Sequence, residues 1–273
     1  TIPKSLTVCG VNIFSGCSNL KTVNYNCTNC TYAGFCPILG PNQYAVFVNC
    51  SKLSNFNIGK NVTQLPNNLL NSCSSIKNIT IPQSVTYIGN RAFYCCTGLE
   101  NVYYEGTLDN WCGIVFKNSY SNPCYYADNL YCDGKLVSGD ITIATDVNDY
   151  ALYNSASITN VTLTDNVKKI GNCAFQKCTS LNNVTIPDSV TYIGNYAFSG
   201  DSNIESFSLP KSLTTIGNGA FQNCTLIDDI VIPENVTNIG ASAFYGCNNL
   251  QKITLPFVGT SESATGANGV FGS

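Results

Sequence analysis

The sequence predicts a solenoid of short repeats, with a parallel sheet on one face and short strands and helical turns on the other. Three observations predict it. A phrase recurs every 23 residues, Ile-Pro-x-Ser-Val-Thr-x-Ile-Gly-Asn-x-Ala-Phe-x-x-Cys-x-x-Leu, clearest at 81–99, 186–204, 209–227 and 232–250. Just before each Pro, apolar and polar residues alternate, as in Val184-Thr185-Ile186-Pro187. One apolar ring recurs per period, at Phe14, Phe47, Phe93, Phe175, Phe198, Phe221 and Phe244, with Leu70 and Leu152 standing in elsewhere. A fixed period of this size marks an architecture in which each unit buries its apolar face only against its neighbours.

Within one repeat, Val184 and Ile186 flank Thr185, which reads as a short strand with one buried face. Pro187 lacks an N–H and ends that strand's pairing in a turn. A second extended piece, 190–193, keeps Val190 and Ile193 inward. Gly194 reverses the chain, and Ala197 with Phe198 begins a helical turn whose ring fills the interior. The strand positions recur at Val23/Tyr25, Phe56/Ile58, Ile79/Ile81, Val102/Tyr104, Ile141/Ile143, Val161/Leu163, Val184/Ile186, Phe207/Leu209, Ile230/Ile232 and Ile253/Leu255, the rungs of one parallel sheet.

The chain has 16 Cys, and seven of them (Cys17, Cys50, Cys73, Cys96, Cys178, Cys224 and Cys247) share one slot of the repeat. A row of thiols recurring about every 4.8 Å along a stack reads as buried core filling rather than as a disulfide framework. Asp201 replaces the thiol once, and its carboxylate is expected to accept turn N–H groups instead. Cys9 also falls on a core position. Of the rest, Cys27, Cys30, Cys36, Cys112, Cys124 and Cys132 fall where the period is interrupted and are the candidate disulfide residues. Cys27-x-x-Cys30 could instead be a redox pair or half a zinc site, but no matching second pair follows.

With 11% charged residues, a net charge of −3 and a surface rich in Asn, Ser and Thr, the chain has no basic face for nucleic acid and no polybasic run for an anionic membrane. No signal peptide or 18-residue apolar run is evident, so membrane insertion is not expected. The absence of His removes the commonest general base and the commonest zinc ligand. No catalytic set, metal site or cofactor is therefore expected. Glu205, Asp228, Asp229 and Glu234 could offer Ca²⁺ hard oxygens, but their spacing fits no calcium loop and solvated charges are the simpler reading.

The phrase at 81–99, 186–204, 209–227 and 232–250 resembles the BspA-type, or Treponema pallidum-type, leucine-rich repeat of bacterial and protist surface proteins. The resemblance covers nearly the whole chain, and the segment around Trp111 and the Leu255-Pro-Phe-Val-Gly259 ending resemble segments that interrupt such arrays. It implies a secreted or surface-anchored module for adhesion to protein or glycan, without catalytic residues.

On this reading residues 1–256 form a single solenoid interrupted at about 26–44 and 105–140, and 257–273 is a Gly/Ser/Ala-rich C-terminal segment. The second interruption holds the only Trp, Trp111, with Phe116, Tyr120, Tyr125, Tyr126 and Tyr131. These rings must either pack a small core of their own or offer a platform to a ligand. Leu130 to Val137 reads as a β-hairpin with a type I′ Asp133-Gly134 turn. The candidate ligand face combines the exposed sheet positions Tyr103, Thr162, Thr185 and Ser208 with Trp111, Tyr125 and Tyr126. Sequons stand at Asn26, Asn29, Asn49, Asn61, Asn78, Asn160, Asn183, Asn223 and Asn235, near the number that chance supplies in a chain this rich in Asn, Ser and Thr. The expected partner is a protein or glycan at a cell or matrix surface. The alternative is a structural role, in which copies of the chain stack head to tail into a filament because neither end shows a polar cap.

Overall fold

The structure, a computed structural model, describes residues 1–10, 12–28, 30–33 and 46–256. Asn29, Cys36, most of the first interruption and the segment 257–273 lie outside the described residues. Two compact units divide the chain, Thr1–Leu136 and Val137–Ser273, both built from the predicted repeat.

In the first unit, strands Thr22–Tyr25, Asn55–Ile58, Asn78–Ile81, Asn101–Tyr104 and Asn129–Cys132 stack in parallel, and Lys135–Leu136 closes the sheet antiparallel. Register follows the period: Ile79 lies opposite Val102 and Thr80 opposite Tyr103. A second sheet of two-residue strands holds Gln64–Leu65, Tyr87–Ile88 and Val115–Phe116. The second unit repeats both: Gly139–Ile143, Ile158–Leu163 and Asn183–Thr185 form one parallel sheet, and four short strands from Lys169–Ile170 to Asn238–Ile239 form the other.

The expected helical turns take the form of paired tight turns. Two positions four residues apart adopt left-handed backbone in repeat after repeat, as at Cys173 and Lys177 or Tyr196 and Gly200. That geometry frees alternate amides to reach the next repeat: Cys173, Phe175 and Lys177 N–H donate to the carbonyls of Asn195, Ala197 and Ser199 at 2.8–2.9 Å. The turns are thus a third hydrogen-bonded ladder. Gly194 is needed for close approach rather than for reversal, since a Cβ there would lie 2.6 Å from the Asn172 amide nitrogen.

The phrase's polar residues also work between repeats. The Ser189 hydroxyl donates to the Val167 carbonyl at 2.6 Å and Ser212 to Val190 at 2.8 Å. Thr214 donates to Thr191 at 2.9 Å. The Asn172 side-chain oxygen accepts from Asn195 N–H at 2.8 Å, that of Asn195 from Asn218 at 2.7 Å, and Asp149 begins the series. Most ladder thiols donate to the carbonyl 26 residues earlier, Cys178 to Leu152, Cys224 to Phe198 and Cys247 to Phe221, each at 3.1 Å, whereas Cys50 reaches 36 residues back and Cys73 turns to the Asn71 carbonyl. A buried polar group that finds a partner avoids a desolvation penalty of about 1–3 kcal/mol, so these residues hold the stack together while its core stays apolar.

Phe175, Phe198, Phe221 and Phe244 form the expected spine, stacked with centroids 5.4–5.7 Å apart. Burial raises the ladder thiols: Cys96 is pushed up to about 12, and Cys73, Cys178 and Cys224 lie well above the usual thiol range. They are inert thiols. Cys17, at the start of the row, is exposed instead. Asp201 is fully buried, and one carboxylate oxygen accepts Cys178 N–H at 2.8 Å, as expected. Its other oxygen has no hydrogen-bond partner among the described residues, and burial raises its pKa well above the usual aspartate value.

One predicted rung is not a strand. Residues 205–209 pair with neither neighbour: Asn183–Thr185 pairs only with 160–162, and Asp229–Val231 only with Lys252–Thr254. Phe207 stands where most rungs carry Val or Ile, and its ring meets Phe198 at 5.0 Å and Phe221 at 4.6 Å. The ring lies beside these two spine rings, which stack directly on each other at 5.7 Å, and it fills more of the interior there than the Val or Ile of other rungs.

Candidate functional site

The solvent face of the first unit's sheet carries two rows of side chains, because alternate residues of a strand point to one face. One row is Thr22, Asn55, Asn78, Asn101 and Asn129; the other is Asn24, Asn57, Thr80, Tyr103 and Tyr131. Neither row contains a charged residue. Amides link across strands: Asn101 Nδ2 donates to Asn78 Oδ1 at 2.8 Å, Asn129 to Asn101 at 2.9 Å, and Asn57 to Asn24 at 2.8 Å. Tyr103 and Tyr131 stack with centroids 4.8 Å apart and planes 20° from parallel. Leu136, 43% exposed, lies directly opposite Tyr131 and extends the apolar patch.

Tyr131 was missed as a face residue because its segment reads as a free hairpin. The hairpin is there, with Asp133 and Gly134 both at positive φ as a type I′ turn requires. Its first strand is also a rung of the parallel sheet, and the signal was Asn129-Leu-Tyr-Cys echoing Asn101-Val-Tyr-Tyr.

Of the expected ligand face, Tyr103 is exposed as predicted, and so are Thr162, Thr185 and Ser208 in the second unit. Trp111 is not part of any face. It is fully buried in helix Leu108–Cys112, which Thr107 caps, and packs on Tyr104 at 5.4 Å and Phe116 at 5.3 Å. The large ring finds an apolar interior beneath the interruption and becomes its core. Tyr125 and Tyr126 sit apart from Tyr103, in a half-buried cluster where rings 4.7–4.9 Å apart link Tyr94, Tyr120, Tyr125 and Tyr126. The Tyr126 hydroxyl accepts Cys95 N–H at 2.8 Å, and burial pushes its pKa up to about 12.

A scan against family models matches the BspA-type leucine-rich-repeat region, in six copies, over residues 1–122 and 145–263. The chain belongs to the BspA-type leucine-rich-repeat family. Among solved structures it is similar to a leucine-rich cell surface protein of Faecalibacterium prausnitzii A2-165, at 18% identity over 95% of this chain and 86% of that one, with a TM-score of 0.53. A leucine-rich-repeat protein of Bacteroides ovatus aligns at 22% identity over 93% and 71%, TM-score 0.52. The pneumococcal vaccine antigen PcpA aligns at 16% over 98% and 64%, TM-score 0.55. These likenesses are of fold. No curated protein matches.

In this BspA-type chain the candidate cysteines among the described residues, Cys27, Cys30, Cys112, Cys124 and Cys132, fall in two buried groups. Cys30 lies within hydrogen-bonding reach of both Cys27 and Cys9, and Cys27 Sγ donates to the Pro3 carbonyl at 3.4 Å. Burial raises Cys27 to about 12 and Cys9 to about 11. Cys132 lies near both Cys112 and Cys124, and burial raises all three. Among the described residues no three His, Cys, Asp or Glu side chains gather as a metal site, and no helix is long and apolar enough to cross a membrane. Of the acidic residues, Asp229 pairs with Lys252 at 3.5 Å.

The sequon asparagines Asn49, Asn61, Asn78, Asn183, Asn223 and Asn235 are exposed, and Asn26 and Asn160 half-buried. Two spend the nitrogen a glycan would need: Asn160 Nδ2 donates to Asp140 at 2.5 Å and Asn235 Nδ2 to the Lys211 carbonyl at 2.7 Å.

Proposed function

We propose that this chain is a non-catalytic recognition and adhesion module, displayed outside the cell, that takes a protein or glycan partner on the solvent face of its first unit's sheet. The observation that carries this reading is the stacked pair Tyr103–Tyr131 standing on an uncharged field of amides. Much of the phrase's Ser, Thr, Asn and Cys chemistry is consumed between repeats, whereas the sheet face keeps polar groups and aromatic surface open to solvent. Rigid aromatics beside amide donors and acceptors suit a partner bound by stacking and neutral hydrogen bonds. With so little charge the encounter is unsteered, and strength would come from repeated modules acting together.

The test is a glycan and matrix-protein array probed with the wild type and a Tyr103→Ala/Tyr131→Ala double variant. Binding by the wild type that falls by about tenfold or more in the variant, at unchanged melting temperature, is the expected result. Equal binding by both proteins would overturn the assignment to this face. Export to an oxidising setting would also close thiols in the two cysteine groups, so native material unfolded in denaturant and alkylated without reductant should show fewer reactive thiols than the 16 present.

A further inference from the structure

The second unit holds a feature that the recognition face does not explain: the unpaired rung at 205–209. Lys252 N–H donates to the Asp228 carbonyl at 3.2 Å, and Ile232 N–H to Thr254 at 2.9 Å. Successive residues of a strand direct their backbone groups to opposite edges. The N–H and C=O groups of Asp229 and Val231 therefore face the other way, toward 206–209, and among the described residues no strand pairs with that edge. Facing it, 205–209 makes no backbone hydrogen bond to either neighbouring rung.

A cavity of about 1120 Å³ lies between, lined from one side by 206–209 and from the other by 229–235 and 254–256. Ligand pockets run to roughly 300–1,000 Å³. Its lining alternates as a rung does: Phe207, Ile230 and Ile232 are buried, while Ser208, Val231 and Thr254 are exposed, Val231 at 54%. The charges close by offset one another, since Asp229 is paired with Lys252 and the lining contains both Lys211 and Glu234. The site thus offers backbone pairing and alternating side-chain positions, with no strong field of either sign.

We infer that this gap is an acceptor for an extended, uncharged peptide segment of a partner protein, which adds a strand alongside Asp229–Val231. Strand addition draws affinity from main-chain hydrogen bonds and specificity from alternate side-chain pockets. The chain's own rung does not fill the place, because the Phe207 ring, packed beside the stacked pair Phe198 and Phe221, keeps 206–209 off the edge.

The probe is the acetylated, amidated peptide Asn-Asn-Val-Thr-Ile-Pro, which copies the chain's own neutral rung at 182–187. Titrated into the whole chain, it should slow amide exchange at Asp229, Val231 and 206–209. The same peptide N-methylated at Val and Ile should bind about tenfold or more weakly, since it loses donors but keeps its side chains. Val231→Pro, which removes one gap-facing N–H at an edge where Pro is tolerated, should weaken binding to a similar degree without lowering the melting temperature. If that variant fails to fold, the N-methylated probe still decides. Amides at 206–209 that already exchange as slowly as those of Asn183–Thr185 in the free protein would show a closed rung and overturn the inference. So would equal binding of the two peptides, no binding at roughly millimolar peptide, or protection that rises with protein concentration alone, which would point to a second copy.

Discussion

In the first unit one sheet runs unbroken from Thr22–Tyr25 to Lys135–Leu136, whereas in the second the same face divides into three strands and two, on either side of 205–209. Both units place a Phe on a rung where an aliphatic residue is usual. Phe56 meets one spine ring, Phe47, edge-on at 5.7 Å, and its strand keeps a single register pair with Asn78–Ile81. Phe207 meets two spine rings and its rung keeps none. The neighbouring thiol slot is also altered in that repeat, to Asp201. Pairing on the outer face therefore depends on what fills the interior slots behind it.

The first unit's continuity ends on the interruption, whose core is Trp111 packed under the rung at Asn101–Tyr104. Trp111→Ala should cost about 3–5 kcal/mol in denaturant unfolding, the cost of emptying a fully buried aromatic site. A change within about 0.5 kcal/mol, as for a surface residue, would mean that the interruption does not support the sheet.

Asp201 offers the next largest effect. Its folded pKa is raised above the unfolded value of 3.8, so the folded state holds the proton more tightly. Stability is full below about pH 4 and falls as pH rises toward the folded pKa, because the unfolded chain then ionises while the buried carboxyl resists. Asp201→Asn should flatten that decline. Asp201→Cys, which restores a thiol directed at the Phe175 carbonyl, should raise stability at pH 7 by about 1–3 kcal/mol. Melting curves between pH 4 and 8 check both, and a parallel decline in all three proteins would remove Asp201 as the cause.

Smallest in energy but most direct is Phe207→Ile. If the ring keeps the rung off the edge, amides at 206–209 should gain about tenfold in exchange protection, near 1.4 kcal/mol, and the peptide probe should lose its place. Unchanged exchange would move the cause of the break elsewhere.

Much of this was legible in the chain. Ile-Pro after an alternating pair marks the end of a strand wherever it occurs, and one Phe per 23 residues marks the spine. What was not legible depends on neighbours in space. Phe207 has the same local pattern as its fellow rungs, and only the two rings behind it distinguish it. Trp111 in an aromatic-rich interruption reads equally as platform or core, because composition does not say which side of the chain the solenoid lies on. Tyr131 became part of the face only through register with Tyr103, which the extra residues of the interruption concealed.

Most hydroxyls, amides and thiols of the phrase reach 22 to 26 residues along the chain for their partners. Each repeat is therefore a template for the next, and the gene that encodes such a chain can change its copy number cheaply in one way only. Loss or duplication of a whole 23-residue period leaves every donor facing an acceptor of the same kind. A deletion of 22 or 24 shifts all of them at once, so selection on length acts through whole repeats, and a lineage can lengthen or shorten this surface without redesigning it.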